Sequence, residues 1–174
     1  MTVEERLAAL EKRLHDVEDQ LAITDLIYRY GPAIDTGSVD DVLALFTDDG
    51  VYDVDTGILS GADEIAAMVT GDMHQGLIRR GCGHVMSAPQ IRVEGDEATV
   101  VSYSQLVLRN ANSKDYSVLR TTVNYWQLVR TDDGWRIAHR TARKADGTAE
   151  VRALLGSHSA ASLAARESDS GRDD

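Results

Sequence analysis

Cysteine occurs once in these 174 residues, at Cys82, so no disulfide can form within the chain. Basic residues are also scarce. Lys and Arg number 18 against 29 Asp and Glu, a formal net charge of -11. That balance removes the clustered positive surface on which sequence-independent nucleic-acid binding depends, and it equally disfavours docking on an anionic membrane face. No stretch approaches the ~18 apolar residues of a membrane-spanning helix. The first six residues carry Glu4, Glu5 and Arg6 where a signal peptide would place an apolar core. A cytoplasmic location is the expectation. Metal-ligand spacings such as Cys-x-x-Cys or His-Glu-x-x-His are missing, as are a phosphate loop, a dinucleotide fingerprint and a Gly-x-Ser-x-Gly elbow. Neither a metal nor an organic cofactor is expected.

What is present is an ordinary globular composition, 43% hydrophobic and 27% charged, in a length suited to one domain with a real core. Leu7, Leu10, Leu14, Val17, Leu21, Thr24 and Tyr28 recur at alternating spacings of three and four, which predicts a helix from about residue 3 to 30. Such a stripe suits packing on its own domain, on a neighbouring subunit or in a coiled coil. Pro32 has no N–H for the carbonyl of Tyr28, so the helix is expected to kink or end at Gly31-Pro32. Val39–Phe46 reads as a short second helix, with Asp40 and Asp41 in its first turn. Gly61–Val69 reads as a third, capped by Ser60 or Asp63.

After a strand at Val51–Val54, alternation predicts strands at His84–Ser87, Ile91–Val93, Ala98–Leu108, Ser117–Val129 and Trp135–Arg143. Turns are expected at Gly95-Asp96, Asn110–Asp115 and Asp132-Asp133-Gly134. Helices followed by a strand meander indicate an α+β fold. The predicted organisation is a domain over residues 1–145, then a segment over 146–174 in which Val151, Leu154 and Leu155 dock and Ser157 onward forms a mobile tail.

Three residues draw attention as chemistry. His84 lies on the strand face of Cys82 and Met86, where a carboxylate on one ring nitrogen would leave the other as a general base. Asp35 could be that carboxylate or simply a turn cap. Tyr30 could donate a proton or pack in the core. On an ideal helix Tyr30 and Asp35 stand about 140° apart, so their convergence is expected to depend on distortion at Gly31-Pro32. Asn124 shares a face with Thr122 and Trp126 among core-facing residues. By strict alternation His139 and Arg143 share the face of Trp135 and Ile137.

The run from Tyr30-Gly-Pro-Ala-Ile-Asp35 to Phe46, then Val51-Tyr52-Asp53 and Gly83-His84-Val85-Met86, resembles the SnoaL-like branch of the nuclear transport factor 2-like superfamily. Scytalone dehydratase, bile-acid 7α-dehydratase and hexachlorocyclohexane dehydrochlorinase share its cone-shaped α+β fold. The resemblance implies a curved, mainly antiparallel sheet wrapped over N-terminal helices around a central pocket. It implies a cofactor-independent lyase, most simply a dehydratase acting on a hydrophobic carbonyl-bearing molecule, steroid- or polyketide-like. His84 would be the base, Asp35 its orienting carboxylate and Tyr30 the proton donor. Tyr52, Asn124, Met86, Trp126, His139 and Arg143 would contact substrate. A polyketide cyclase or ketone isomerase using the same base, and a non-catalytic ligand-binding or assembly subunit, remain alternatives. The resemblance also implies a homo-oligomer, trimer or dimer.

Overall fold

In the computed structural model, residues 1–158 are described, and the predicted tail from Ser159 onward lies outside them. The order is α1 (Val3–Thr36), α2 (Val39–Leu43), β1 (Phe46–Val54), β2 (Gly57–Ser60), α3 (Gly61–Thr70), α4 (Asp72–Arg80), β3 (Cys82–Met86), β4 (Gln90–Glu94), β5 (Glu97–Arg109), β6 (Tyr116–Thr131), β7 (Gly134–Lys144) and α5 (Ala149–Gly156). This is the expected α+β architecture.

Local chemistry sets most of the boundaries. Thr2 and Glu5 form a capping box that opens α1. Gly37, at φ 70°, takes the left-handed conformation that closes it. The Ser38 hydroxyl accepts the Asp41 N–H at 3.2 Å to start α2. At α3 the expected side-chain cap is replaced: the Glu64 carboxylate accepts the N–H of Ser60 at 2.7 Å.

The helix does not end at Gly31-Pro32: α1 runs on to Thr36 with Pro32 inside it. A proline inside a helix costs about 3 kcal/mol. Here Ile23, Leu26, Ile27, Tyr30, Ala33 and Ile34 are all buried against the rest of the molecule on both sides of it. Tertiary packing of this face outweighs one lost hydrogen bond. Phe46, predicted as helix, instead opens β1, and α4 and β2 fall in segments whose patterning gives no clear period.

The strands form one sheet in the order β2-β1-β7-β6-β5-β3, with β4 also pairing with β5. All pairings are antiparallel except β1 with β7. Three register shifts bend it: between Phe46 and Val51 on β1, between Leu106 and Val107 on β5, and between Gln127 and Leu128 on β6. Bulges of this kind increase local twist and bend, and the sheet curves around α1.

The core lies between the concave face and the helices, where Trp126, Leu128, Val100 and Ile137 meet Ile23, Leu26, Ile27, Val42, Ile65 and Val69. At one end the buried Asp19 accepts two hydrogen bonds from Arg130, at 2.8 and 2.7 Å, and one from Trp135 at 3.0 Å. That knot fastens α1 to the β6–β7 hairpin. No helix among the described residues is long and apolar enough to cross a membrane.

Candidate active site

The last turns of α1 pass beside β3. The carbonyl of His84 comes so close that a Cβ on Gly31 would overlap its oxygen. Only glycine permits this approach. It brings Asp35, one turn on, against the strand. Asp35 Oδ1 lies 2.6 Å from His84 Nδ1, and Asp35 Oδ2 accepts the His84 backbone N–H at 2.6 Å. The two side chains keep 20% and 18% of their exposure, so the pair sits at a rim that solutes can reach. Burial alone would raise the Asp35 carboxyl, but hydrogen bonds from the His84 ring and backbone, with the ring's charge, hold it below the usual carboxylate range.

The ring position is therefore fixed twice, through the imidazole and through its own peptide N–H. Asp35 is engaged in side-chain contacts rather than capping a turn. Cys82 donates its thiol to Asp35 at 3.5 Å. Burial and the adjacent carboxylate push the thiol up to about 11, so it stays protonated and unsuited to attack.

Tyr30 reaches a different part of the sheet. It is buried, with its ring edge against Trp126 at a centroid separation of 5.5 Å. Tyr30 and Asp35 are carried by one helix that continues through Gly31-Pro32, Asp35 meeting β3 and Tyr30 meeting β6. Five residues of helix put them about 7.5 Å apart along the axis. Burial, set against the nearby Arg140 charge, raises the Tyr30 phenol well above its ordinary value, and its hydroxyl interacts with Arg140 and Tyr52. It remains a proton donor at every working pH.

The strongest feature of this region was not visible in the strand pattern. Arg140 is 2% exposed, and among the described residues it forms no ion pair with a carboxylate. Its guanidinium lies 4.0 Å from the Tyr30 ring centroid, 4.6 Å from Tyr52 and 4.4 Å from Trp126, within cation–π range of each. Nε and Nη2 donate to Asn124 Oδ1 at 3.2 and 2.8 Å, whereas the buried Nη1 has no hydrogen-bond partner among the described residues.

The same bulge explains why His139 and Arg143 are not here. Leu128 pairs with Ile137 but Gln127 pairs with His139, so Ala138 is an extra residue on β7. Beyond it the inward parity passes to Arg140 and Ala142, both buried. His139 and Arg143 turn to the opposite face, which corrects their expected place in the pocket. Arg143 there holds Asp53 with bonds of 3.0 and 2.7 Å and donates to Glu150 at 2.7 Å, joining β7, β1 and α5. A break from period 2 at Ala138 leaves no mark in residue types.

The remaining expected contacts divide. Asn124 is fully buried and positions Arg140, with its own amide donating to Ser104 Oγ at 3.1 Å, so it has no free group for a ligand. Trp126 is likewise enclosed and donates to Ser102 Oγ at 3.0 Å. Tyr52 and Met86 are partly buried and pack against the core. Among the described residues no cluster of three His, Cys, Asp or Glu side chains could hold a metal ion.

Gly31 supports a prediction. Gly31→Ala must push α1 and β3 apart and lengthen the Asp35–His84 contact. A loss of about 1–3 kcal/mol in stability is expected, typical of overpacking, with turnover falling further than stability accounts for. Unchanged thermal midpoint and activity would show that the approach is not tight in solution.

Residues 15–141 match the family model described as a SnoaL-like domain. An uncharacterized protein of Mycobacterium tuberculosis is 30% identical over 133 residues, covering 74% of this chain and 87% of the relative. A nuclear transport factor 2-like protein with a cystatin-like fold from Novosphingobium aromaticivorans superposes with a TM-score of 0.81 at 35% identity, over 86% of this chain and 96% of that one. A hexachlorocyclohexane dehydrochlorinase from Novosphingobium barchaimii shares the fold at a TM-score of 0.65 and 15% identity, over 76% of this chain and 90% of its own.

Proposed function

The chain belongs to the SnoaL-like domain family, and on that premise we propose that it is a cofactor-independent lyase of the dehydratase type. The observation that carries the reading is the 2.6 Å contact between His84 Nδ1 and Asp35 Oδ1 at an accessible rim. Asp35 holds the ring proton on Nδ1 and leaves the Nε2 lone pair free. In the proposed reaction Nε2 takes a proton from carbon next to a substrate carbonyl, and the electron pair of that C–H bond moves toward the carbonyl oxygen. Asp35 balances the imidazolium that forms. The oxyanion collapses, a hydroxyl on the neighbouring carbon departs, and a proton from imidazolium or tyrosine completes water.

Arg140 gives the electrophilic side of the site. A guanidinium whose Nη1 is unpartnered among the described residues, set among aromatic rings, suits a developing oxyanion or departing hydroxyl more than a ground-state carbonyl. Tyr30 and Tyr52 supply phenolic donors beside it. The aromatic and aliphatic surroundings favour a hydrophobic carbonyl-bearing substrate, steroid- or polyketide-like. A SnoaL-like domain with this base is also suited to isomerisation, since both reactions begin with the same proton transfer.

The test is incubation of purified protein with hydroxylated steroid ketones and polyketide-like ketones in deuterated buffer, followed by mass spectrometry. Loss of water, or deuterium entering next to the carbonyl, is expected, unchanged by EDTA and without added nucleotide. Deuterium entry without loss of water would select the isomerase reading. Neither event on any compound, or activity lost on chelation and restored by one metal, would contradict the proposal.

A further inference from the structure

The N-terminal half of α1 stands clear of the domain. Every residue before Asp19 is exposed, and the apolar stripe faces outward, with Leu7, Leu10, Leu14, Val17 and Leu21 between 54% and 66% exposed. A lone helix of this length is marginal in water, and an uncovered leucine row is a binding surface. In heptad terms Leu7, Leu14, Leu21 and Tyr28 occupy the a positions, and Leu10, Val17 and Thr24 the d positions.

The charges beside the seam identify what covers it. Arg6 and Arg13 take the g positions, and Glu11 and Glu18 the e positions. None of the four forms an ion pair within the described residues, although Lys12 and Asp16 on the far side do so at 3.0 Å. In a parallel pair of identical helices each g residue meets the e residue of the next heptad on the other strand. Arg6 would then face Glu11 of the second copy, and Arg13 would face Glu18. An antiparallel pair would oppose Arg to Arg and Glu to Glu.

The domain leaves room for one neighbouring helix. It packs on Asp19, Ile23, Leu26 and Ile27, at positions f, c, f and g, so its bulk lies across the helix from the seam. Because Ile27 is already used at g, the open strip is narrow.

We propose that α1 joins two copies of this chain in a parallel, in-register, two-stranded coiled coil from about Leu7 to Tyr28. None of the residues substituted to test this is among those placed around His84. The full-length protein is tested by light scattering and by mild oxidation. Leu10→Asp with Leu14→Asp, and separately Arg6→Glu with Arg13→Glu, should each halve the molecular mass. Mixing the latter with Glu11→Arg, Glu18→Arg protein should restore it. Leu7→Cys should give a covalent dimer under oxidation, where wild type with Cys82 alone does not. An unchanged mass in the double variants, a fall to one third, or an unlinked Leu7→Cys protein would overturn the proposal.

Discussion

His84→Ala and Asp35→Asn are each expected to lower turnover at least ~100-fold while leaving the fold intact, the scale on which a positioned general base operates. Alanine removes the only imidazole held against a carboxylate at the site. Asparagine keeps the size of Asp35 and can still accept one hydrogen bond from the strand, but it cannot balance an imidazolium. Its amide can also donate to Nδ1, which would move the ring proton to Nε2 and block the base. The wild-type carboxyl is held below its ordinary range by those same bonds, so it stays ionised down to acid pH. Its contribution to stability is therefore present above the unfolded carboxylate value of about 3.9, and is lost as pH falls through the lower folded value. Both variants should still unfold in one cooperative transition near neutral pH, with Asp35→Asn at a lower midpoint than wild type because the carboxylate's contribution is removed. Turnover within a few-fold of wild type in both, on a substrate that the native protein converts, would remove the acid–base account.

Arg140→Met carries the second large expected effect. Methionine fills similar space among Tyr30, Tyr52 and Trp126 but has no N–H, leaving Asn124 Oδ1 without its two donors. Loss of a buried polar partner costs about 1–3 kcal/mol in stability. Loss of a donor to a developing oxyanion costs about 10²–10³-fold in turnover. The two are separable, because Asn124→Leu should destabilise the same network while keeping the guanidinium charge among the aromatic rings. If Arg140→Met and Asn124→Leu reduce turnover equally, Arg140 acts through packing and not through its charge. Arg140→Lys should recover little, because a single ammonium cannot both bond Asn124 and present a free N–H from a planar fork.

Much of this was legible because it depends on local rules. The Gly95-Asp96 and Asp132-Asp133 loops join the β4–β5 and β6–β7 hairpins in register, and Asn110–Asp115 joins β5 to β6, as turn chemistry requires. The α1 stripe, the long strands and the pairing of Asp35 with His84 follow from periodicity and from resemblance to the SnoaL-like family. The misreadings have one origin each. Pro32 obeys its local cost, but six buried neighbours along α1 override it. Arg140 was hidden and Arg143 promoted by the extra residue at Ala138, since alternation can be counted only where pairing is regular. The importance of Gly31 lies in a contact with a strand more than fifty residues away, which no local pattern encodes.

The central claim is that Asp35 fixes the His84 ring with its proton on Nδ1 and its lone pair on Nε2. Nitrogen-15 chemical shifts of His84, recorded above the pH at which the ring loses its second proton, report this without any substrate. The account predicts a protonated Nδ1 and a bare Nε2 in wild type, with the preference lost in Asp35→Asn. A ring carrying its proton on Nε2, or one indifferent to the Asp35 substitution, would contradict it.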